Sequence, residues 1–284
     1  MPVFQIKREN LEKILNLLEQ SYGEPVSLKD ETDYFDKVQP THWFYATNEV
    51  GRPFGFIRSF DKGDWIAGEV FFQLIEDYEK IADDLICQYI KSINGTKFKK
   101  SSFEIKSSQK LLISIFEKYG FRPAKWQYRF FKCNPIHATT SCHSRFAKEK
   151  DIEQIQKILA ALIELETKYV SLAITQKRIT VIEESNQIVA ANYVFFKTLE
   201  KQTVIEVIAT AREFLGKGYA TKLLIDSLFL LGDLYPDHSF CSKIKSDNHA
   251  SVRTHQKAGF IEVSDETELV LSKNFLPDMT KDYQ

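Results

Sequence analysis

The stretch VIEVIATAREFLGKGYA, residues 204–220, decides the interpretation of this sequence. Its first seven residues are β-branched or apolar apart from Glu206, which predicts a β-strand. Gly216 and Gly218 then predict a tight turn that opens a helix. Such a turn places free backbone N–H groups around one point, where the helix dipole favours an anion. The stretch therefore predicts a pyrophosphate-binding loop, with an ordinary strand-to-helix turn as the alternative.

Several features of the first half recur in the second half at a spacing of about 140 positions. The recurring pairs are Asn10–Ile14 with Asp151–Ile155, Glu69 with Glu206, and Gly120-Phe121 with Gly259-Phe260. Asn10 and Asp151 are expected to be the N-cap residues of two equivalent helices. A nearly constant spacing of three unrelated features indicates an internal duplication.

The order of predicted elements is also the same in both halves. Each half reads as a helix, paired strands, a further strand, a helix, a strand, a helix and a final strand after Gly-Phe. This order predicts an α+β fold with a mixed sheet, built as two tandem domains. Pro135 and the small polar residues around it mark the boundary, so the predicted domains are 1–134 and 141–284.

The second half resembles the GNAT acetyltransferase family in its glycine loop. The family's acetyl-CoA loop reads Arg/Gln-x-x-Gly-x-Gly/Ala after the fourth strand. In this chain the three defined positions hold Leu215, Gly218 and Ala220. The two small residues match the family pattern, whereas Leu215 replaces the usual Arg or Gln.

A second family motif lies downstream, where Asn-x6-Tyr-x3-Gly-Phe usually follows the fifth strand. This chain has Asn248, His255 and Gly259 at the corresponding positions. His255 replaces the family's tyrosine. The two motifs stand in the family's order. The resemblance covers the second half well and the first half only as fold, which implies two tandem GNAT-like domains.

The resemblance implies acetyl-CoA as co-substrate and assigns the residues that bind it. The backbone of Ile208, Ala209 and Thr210 would pair with the pantetheine arm, and Asn248 would help to hold that arm. The pyrophosphate would be bound by Leu215, Gly216, Lys217, Gly218, Tyr219 and Ala220.

Two residues are candidates for proton transfer in the reaction. The family's tyrosine often protonates the departing thiolate, and an imidazolium at His255 is suited to the same role. Glu206 is the candidate base, since the family often uses an acidic residue on the fourth strand. The alternatives are that His255 only packs beside the cofactor arm and that Glu206, like Glu69, is a structural carboxylate.

The first half lacks the glycine loop. The positions equivalent to Gly216 and Gly218 are Glu79 and Ile81, within a run that begins Glu76-Asp77. Negative charge and β-carbons oppose a pyrophosphate at this place. The first half is therefore expected to be a degenerate copy that does not bind acetyl-CoA.

The composition predicts a folded globular chain without a strong charge preference. Lys plus Arg number 38 and Asp plus Glu number 39 among 284 residues, and 43% of the residues are hydrophobic. This balance gives no reason to expect nucleic acid or an anionic membrane as partner. The four cysteines form no CxxC pair, so no metal site is predicted. The N-terminus shows no secretory signal pattern and no apolar run is long enough to span a bilayer, so a cytoplasmic location is expected.

The predicted activity is transfer of an acetyl group from acetyl-CoA to a primary amine. The acceptor is a small molecule or a peptide, and its identity and the oligomeric state stay open. One alternative is a non-catalytic CoA-binding or scaffold protein. The other is a tandem GNAT enzyme that transfers aminoacyl groups from tRNA, which the near-neutral charge argues against.

Overall fold

A computed structural model of the chain describes residues 2–23, 25–38, 40–73, 78–134, 143–160, 162–163 and 166–275. It divides into two compact units, which are residues 1–128 with 265–284, and residues 129–264. The boundary segment that the sequence predicts between the domains lies largely outside the described residues. Within these residues, no helix combines the length and the apolar character needed to cross a bilayer.

The first unit combines a sheet with helices on both of its faces. Its helices are α1 (Leu11–Tyr22), α2 (Leu28–Val38), α3 (Tyr78–Ile93) and α4 (Lys110–Lys118). Its strands are β1 (Val3–Gln5), β2 (Phe44–Thr47), β3 (Pro53–Asp61), β4 (Trp65–Phe72), β5 (Lys100–Lys106) and β6 (Arg122–Cys133), the last of which continues into the second unit. Strands β1 to β4 are antiparallel neighbours, and β4 and β5 pair in parallel.

The second unit has the same arrangement. Its strands are β7 (Ser144–Phe146), β8 (Ile179–Glu184), β9 (Gln187–Lys197), β10 (Gln202–Thr210), β11 (Ser239–Lys245) and β12 (Ile261–Glu262). Its helices are α5 (Ile152–Leu159), α6 (Thr167–Thr175), α7 (Tyr219–Leu234) and α8 (His249–Lys257). The strand order is β6-β11-β10-β9-β8-β7, with β10 and β11 parallel and β12 paired to β6.

The last strand, β13 (Glu268–Asn274), hydrogen-bonds along its whole length to β5 and therefore belongs to the first unit. It also pairs with the Arg122–Tyr128 part of β6. The compact units thus follow a different division from the sequence-predicted domains, in which residues 141–284, including β13, form the second domain. Backbone hydrogen bonds formed by β13 are the physical reason for the difference.

The structure contains the duplicated features that the sequence indicates. Asn10 and Asp151 are the N-cap residues of α1 and α5, and each side chain accepts a hydrogen bond from the backbone N–H three residues earlier. Gly120 and Gly259 follow α4 and α8 with φ of 83° and 90°. Such values favour glycine. The mixed sheets and the equivalent helices confirm the predicted α+β class.

Each unit buries an apolar core on both faces of its sheet. In the second unit, α5 and α6 cover one face, and the core there includes Ile155, Val170 and Ala191. Helices α7 and α8 cover the other face, where Leu228 and Val252 are part of the core. Burial of this kind contributes roughly 25 cal/mol per Å² of apolar surface. The two helical layers fix the position of β10, on which the candidate site is built.

Candidate active site

Strand β10 contains a β-bulge at Glu206. Its pairing with β9 runs through Ile205 opposite Val194 and then shifts register to Val207 opposite Tyr193. In a regular strand, residues two apart point to the same face. Here Ile205 packs in the core under α7 and α8, whereas Val207 packs in the core under α5 and α6. The bulge therefore redirects the strand and leaves Glu206 exposed.

The parallel ladder between β10 and β11 stops at the bulge. Its last pair is Ile205 with Ser242, while β10 continues to Thr210 and stays paired to β9 as far as Ala190. On its β11 side, the segment from Val207 to Thr210 therefore has no strand in register with it among the described residues. Backbone N–H and C=O groups on such an edge are available to an extended ligand.

The glycine loop has the backbone conformation that the sequence predicts. Gly216 and Gly218 have φ of 76° and 84°, and a β-carbon at either position would meet no atom within 4 Å. Gly218 is the N-cap residue of α7. The conformation requires glycine, and the space around both positions is open to a ligand.

The start of α7 is suited to an anion. The first backbone N–H groups of a helix lack partners within the helix, and the dipole places partial positive charge there. The first turn of α7 contains no acidic residue. Lys217 adds a cation, with Nζ 4.9 Å from the ring centroid of Phe214, and that ring lies edge-on to Tyr219 at 5.8 Å. The loop can therefore hold a pyrophosphate by backbone and charge together.

Helix α8 follows β11 and carries the other two predicted residues. Asn248 is its N-cap residue, and its side-chain oxygen accepts a hydrogen bond from Ser251 N at 3.1 Å. This bond engages Oδ1 and leaves the Nδ2 group as a donor. The asparagine thus has a local structural role, whether or not it also contacts a ligand.

His255 is almost completely buried, with 1% of its surface exposed. Its Nδ1 lies 2.9 Å from Ser251 O, and its ring packs edge-on to Phe260 at 5.1 Å. Since a carbonyl oxygen only accepts, Nδ1 carries the hydrogen. Nε2 is buried without a hydrogen-bond partner in the described part of the chain. Burial lowers the pKa of His255, and the Ser251 hydrogen bond opposes this only in part.

The predicted site residues occupy consecutive elements of the second unit. Ile208–Thr210 lie on the unpaired edge of β10, the loop 215–220 follows, and Asn248 and His255 lie on α8. Their roles toward a ligand stay predictions.

Sequence reasoning missed Asn192, which lies opposite Ile208 on β9 and is fully buried. Neither atom of its amide has a hydrogen-bond partner among the described residues. A single asparagine within a strand of apolar residues offers no signal that distinguishes it from a solvent-facing one.

The first unit differs at the equivalent strand. β4 pairs with β3 without a register shift, so Glu69 lies opposite Arg58. The Glu69 carboxylate is 3.5 Å and the Glu31 carboxylate 2.9 Å from the Arg58 guanidinium. Arg58 is 2% exposed and sits 4.7 Å from the ring centroid of Trp43. In the first unit, Glu69 is therefore paired with the buried Arg58, whereas the equivalent Glu206 of the second unit is exposed.

The start of α3 also differs from the start of α7. Glu79 lies in its first turn, and Ile81, at the position equivalent to Gly218, is fully buried in the helix. Residues 76–77 of the predicted acidic run lie outside the described residues. An acidic first turn disfavours an anion at this helix start.

The segment that contains these features is similar to one known protein family. Residues 147–260 match the model of the Acetyltransferase (GNAT) family. This segment runs from the end of β7 to the Gly-Phe turn after α8 and includes the glycine loop. Among curated proteins, none matches the sequence significantly.

Solved structures match the fold over nearly the whole chain. A GCN5-related N-acetyltransferase from Sphaerobacter thermophilus has a TM-score of 0.68 at 10% identity, covering 96% of this chain and 95% of that chain. A GNAT-family acetyltransferase from Colwellia psychrerythraea has a TM-score of 0.66 at 15% identity, covering 96% and 100%. A tandem GNAT protein from the clavulanic acid biosynthesis pathway has a TM-score of 0.62 at 10% identity, covering 96% and 98%. Both halves of the chain therefore have the fold of tandem GNAT proteins.

Proposed function

We propose that this chain transfers an acetyl group from acetyl-CoA to a primary amine, because residues 147–260 match the GNAT acetyltransferase family and the chain has the fold of tandem GNAT proteins. The observation that carries the proposal is the parallel ladder that ends at Ile205 and Ser242, directly before a strand edge and an anion-binding loop. An extended pantetheine arm and a pyrophosphate match these two features in order.

The donor site uses mostly backbone groups. Ile208 and Thr210 offer N–H and C=O groups on the open edge of β10 to the amides of the arm, whereas those of Ala209, between them, face Ala191 of β9. The loop from Leu215 to Ala220 offers the N–H groups of a helix start to the pyrophosphate. This arrangement tolerates Leu215 in place of the family's Arg or Gln, because backbone groups do not depend on that side chain.

The bulge places Glu206 for proton removal. The nucleophile must be a neutral amine, and its nitrogen attacks the thioester carbonyl as the C–N bond forms. A carboxylate can accept the proton that the amine loses, directly or through one water. Glu206 is exposed beside the point where the two strands separate. We assign it as the base.

The leaving group is the CoA thiolate, which is released when the C–S bond breaks and then takes up a proton. His255 stands where the family has its tyrosine, and its Nε2 is the ring nitrogen that is not tied to the helix. We assign Nε2, rather than Nδ1, as the atom of this ring that transfers the proton. Protonated, it can donate to the thiolate; neutral, it can accept a hydrogen bond from the thiol product.

The first unit is proposed to have a structural role without its own acetyl-CoA. Its helix α3 begins with an acidic turn and without glycine in the described residues, and its Glu69 is paired with Arg58. One binding event per chain is therefore expected in calorimetric titration with acetyl-CoA.

The test is an acetylation screen over amines of different classes, with CoA thiol release and the mass of the acceptor as readouts. The panel comprises polyamines, aminoglycosides, amino acids and peptides. Glu206→Gln should lower kcat by about 10²–10⁴-fold without weakening acetyl-CoA binding. The exposed Glu184→Gln, in the β8–β9 hairpin, is the matched control and should be neutral.

The other outcomes of the screen identify the alternatives. Stoichiometric acetyl-CoA binding without thiol release over the whole panel would favour a non-catalytic CoA-binding protein. Acyl transfer that depends on added aminoacyl-tRNA would favour the aminoacyl-transferring class. Absence of acetyl-CoA binding would overturn the proposal altogether.

A further inference from the structure

A cavity of about 500 Å³ lies in the second unit, beside the segment that joins β10 to the glycine loop. This volume is within the range of small-molecule sites. Two hydrogen bonds fix its walls. Ala211 N donates to Val189 O at 2.8 Å, and Ile188 N donates to the side-chain oxygen of Gln154 on α5 at 2.8 Å. The cavity is therefore formed by regular elements that are tied together.

The cavity touches the proposed acetyl-CoA path only at Thr210 and Leu215 and extends away from it. It is lined by residues of α5, by the start of β9 and by residues 210–213 and 215. It thus lies on the β9 side of β10, whereas the open edge proposed for the pantetheine arm lies on the β11 side. Glu206 is four residues from Thr210, which corresponds to about 13 Å along a strand. A ligand in this cavity would not occupy the position of the acetyl group.

Leu215 gives the cavity an apolar wall that the acetyl-CoA loop does not explain. Leu215 is 61% exposed, although it lines the cavity together with Ile158 and Ile188. At this position the GNAT pattern has Arg or Gln. Exposing the apolar side chain of a leucine to water is unfavourable. A hydrocarbon chain placed against these three residues would remove that surface from water. The departure of Leu215 from the pattern is thus consistent with a second ligand.

The polar part of the lining favours an anion. Lys157 and Arg212 line the cavity, and neither forms an ion pair with any residue in the described ranges. Glu213 is the one carboxylate of the lining, so the lining carries a net positive charge. Thr210 adds a hydroxyl oxygen that is buried and has no hydrogen-bond partner among the described residues. Two cations and a hydroxyl are the groups that bind a carboxylate.

We propose that this cavity binds an aliphatic monocarboxylate, with its chain against Ile158, Ile188 and Leu215 and its carboxylate at Lys157 and Arg212. The apolar wall and the cationic groups account for the two ends of such a ligand. Because residues 211–215 lead directly into the glycine loop, the bound ligand also lies next to the proposed pyrophosphate site. The inference goes beyond the acetyl transfer proposed above and does not require that activity.

The test is calorimetric titration of the full chain with octanoate in the absence of any CoA compound. Octylammonium, with the same chain and the opposite charge, is the ligand control. The double variant Lys157→Gln/Arg212→Gln should weaken octanoate binding about tenfold or more, because it removes both cations from exposed positions. Lys150→Gln removes an exposed cation that does not line the cavity, and it should bind octanoate as the wild type does.

The expected result is one saturable octanoate site per chain, with octylammonium at least tenfold weaker. Unchanged thermal unfolding of the double variant would show that its loss of binding does not come from misfolding. Absence of saturable octanoate binding, equal binding of octylammonium, or unchanged binding by the double variant would each overturn the proposal. These readouts need neither acetyl-CoA nor an amine, so the proposal can fail independently of the acetyltransferase activity.

Discussion

The Nδ1 atom of His255 lies 2.9 Å from the carbonyl oxygen of Ser251, one helical turn earlier in α8. This hydrogen bond fixes the ring orientation and the tautomer, so that Nε2 carries the lone pair in the neutral form. Nε2 is buried among aromatic rings without a partner in the described residues. Adding a proton there places a charge in an apolar environment, which is why the pKa of His255 is lowered.

The lowered pKa predicts an acid-sensitive fold. An unfolded histidine binds its proton near pH 6.5, whereas folded His255 binds it only at lower pH. Between these values the unfolded chain holds more protons, so the free energy of unfolding decreases as the pH falls. His255→Phe should reduce the loss of thermal stability between about pH 7.5 and about pH 5.5. An equal loss in the variant and in the wild type would contradict this, and the exposed His249→Gln serves as control.

The same pKa shift sets the pH dependence expected of catalysis. If protonated Nε2 donates to the thiolate, the active fraction decreases as the pH rises through the lowered pKa of His255. His255→Ala should therefore lower kcat and remove the part of kcat that rises toward low pH. The measurement is kcat over about pH 6 to 9 at saturating acetyl-CoA. Identical turnover of variant and wild type over this range would rule out the general-acid role.

Gly218 and Gly51 allow a matched test of the glycine loop. Both have positive φ, 84° and 79°, and at both positions an added β-carbon meets no atom within 4 Å. Gly218→Glu should abolish acetyl-CoA binding by calorimetry, since it places a carboxylate beside the pyrophosphate. Gly51→Glu introduces the same backbone strain, roughly 1 kcal/mol, in a turn of the first unit. Loss of binding in both variants would indicate general destabilisation rather than a phosphate site.

Asn248 combines a helix cap with a proposed ligand contact, and two substitutions separate the two roles. Asn248→Ala removes the bond to Ser251 N and should cost about 1 kcal/mol of stability. Asn248→Ser keeps a capping oxygen and should restore most of that stability. Acetyl-CoA affinity should stay reduced in both, because serine lacks the amide donor. Wild-type affinity in Asn248→Ser would show that the residue acts only as a cap.

The cluster around Arg58 predicts a large loss of stability in the first unit. Burial raises the pKa of Glu31 and of Glu69, and Arg58 is the cation that both carboxylates approach. Arg58→Met would leave them without this partner and should cost about 3–5 kcal/mol. Arg8→Met removes an exposed pair with Asp36 and should cost at most about 1 kcal/mol. Chemical denaturation measures both, and equal losses would contradict the distinction.

Much of the local structure was predictable from the sequence, because it follows from short-range chemistry. The β-branched run before Thr210 forms β10, and the glycines at 216 and 218 adopt the conformation that only glycine takes easily. The hairpin after β8 turns at Ser185 and Asn186, both with positive φ. These features require no knowledge of the rest of the chain.

Features that depend on distant partners could not be predicted. Ile205 and Val207 are two residues apart, a spacing that in a regular strand places both side chains on the same face. Only their packing against different helices reveals the bulge between them. Arg58 lies within an apolar strand, and one of its carboxylate partners is on α2, a helix that is absent from the predicted order of elements. The pairing of β13 with β5 joins segments more than 150 residues apart. No local pattern encodes these contacts.

That last pairing bears on the order in which the protein is made. A ribosome completes residues 129–264 before it adds β13, so the second unit has all of its strands while the first still lacks one. Domains of a nascent chain usually fold in the order of their synthesis. In this protein the second unit is complete before the first, although the first begins earlier in the chain. During translation, the edge of β5 that will receive β13 stays open until the last strand is made, and an open strand edge is able to pair with another chain.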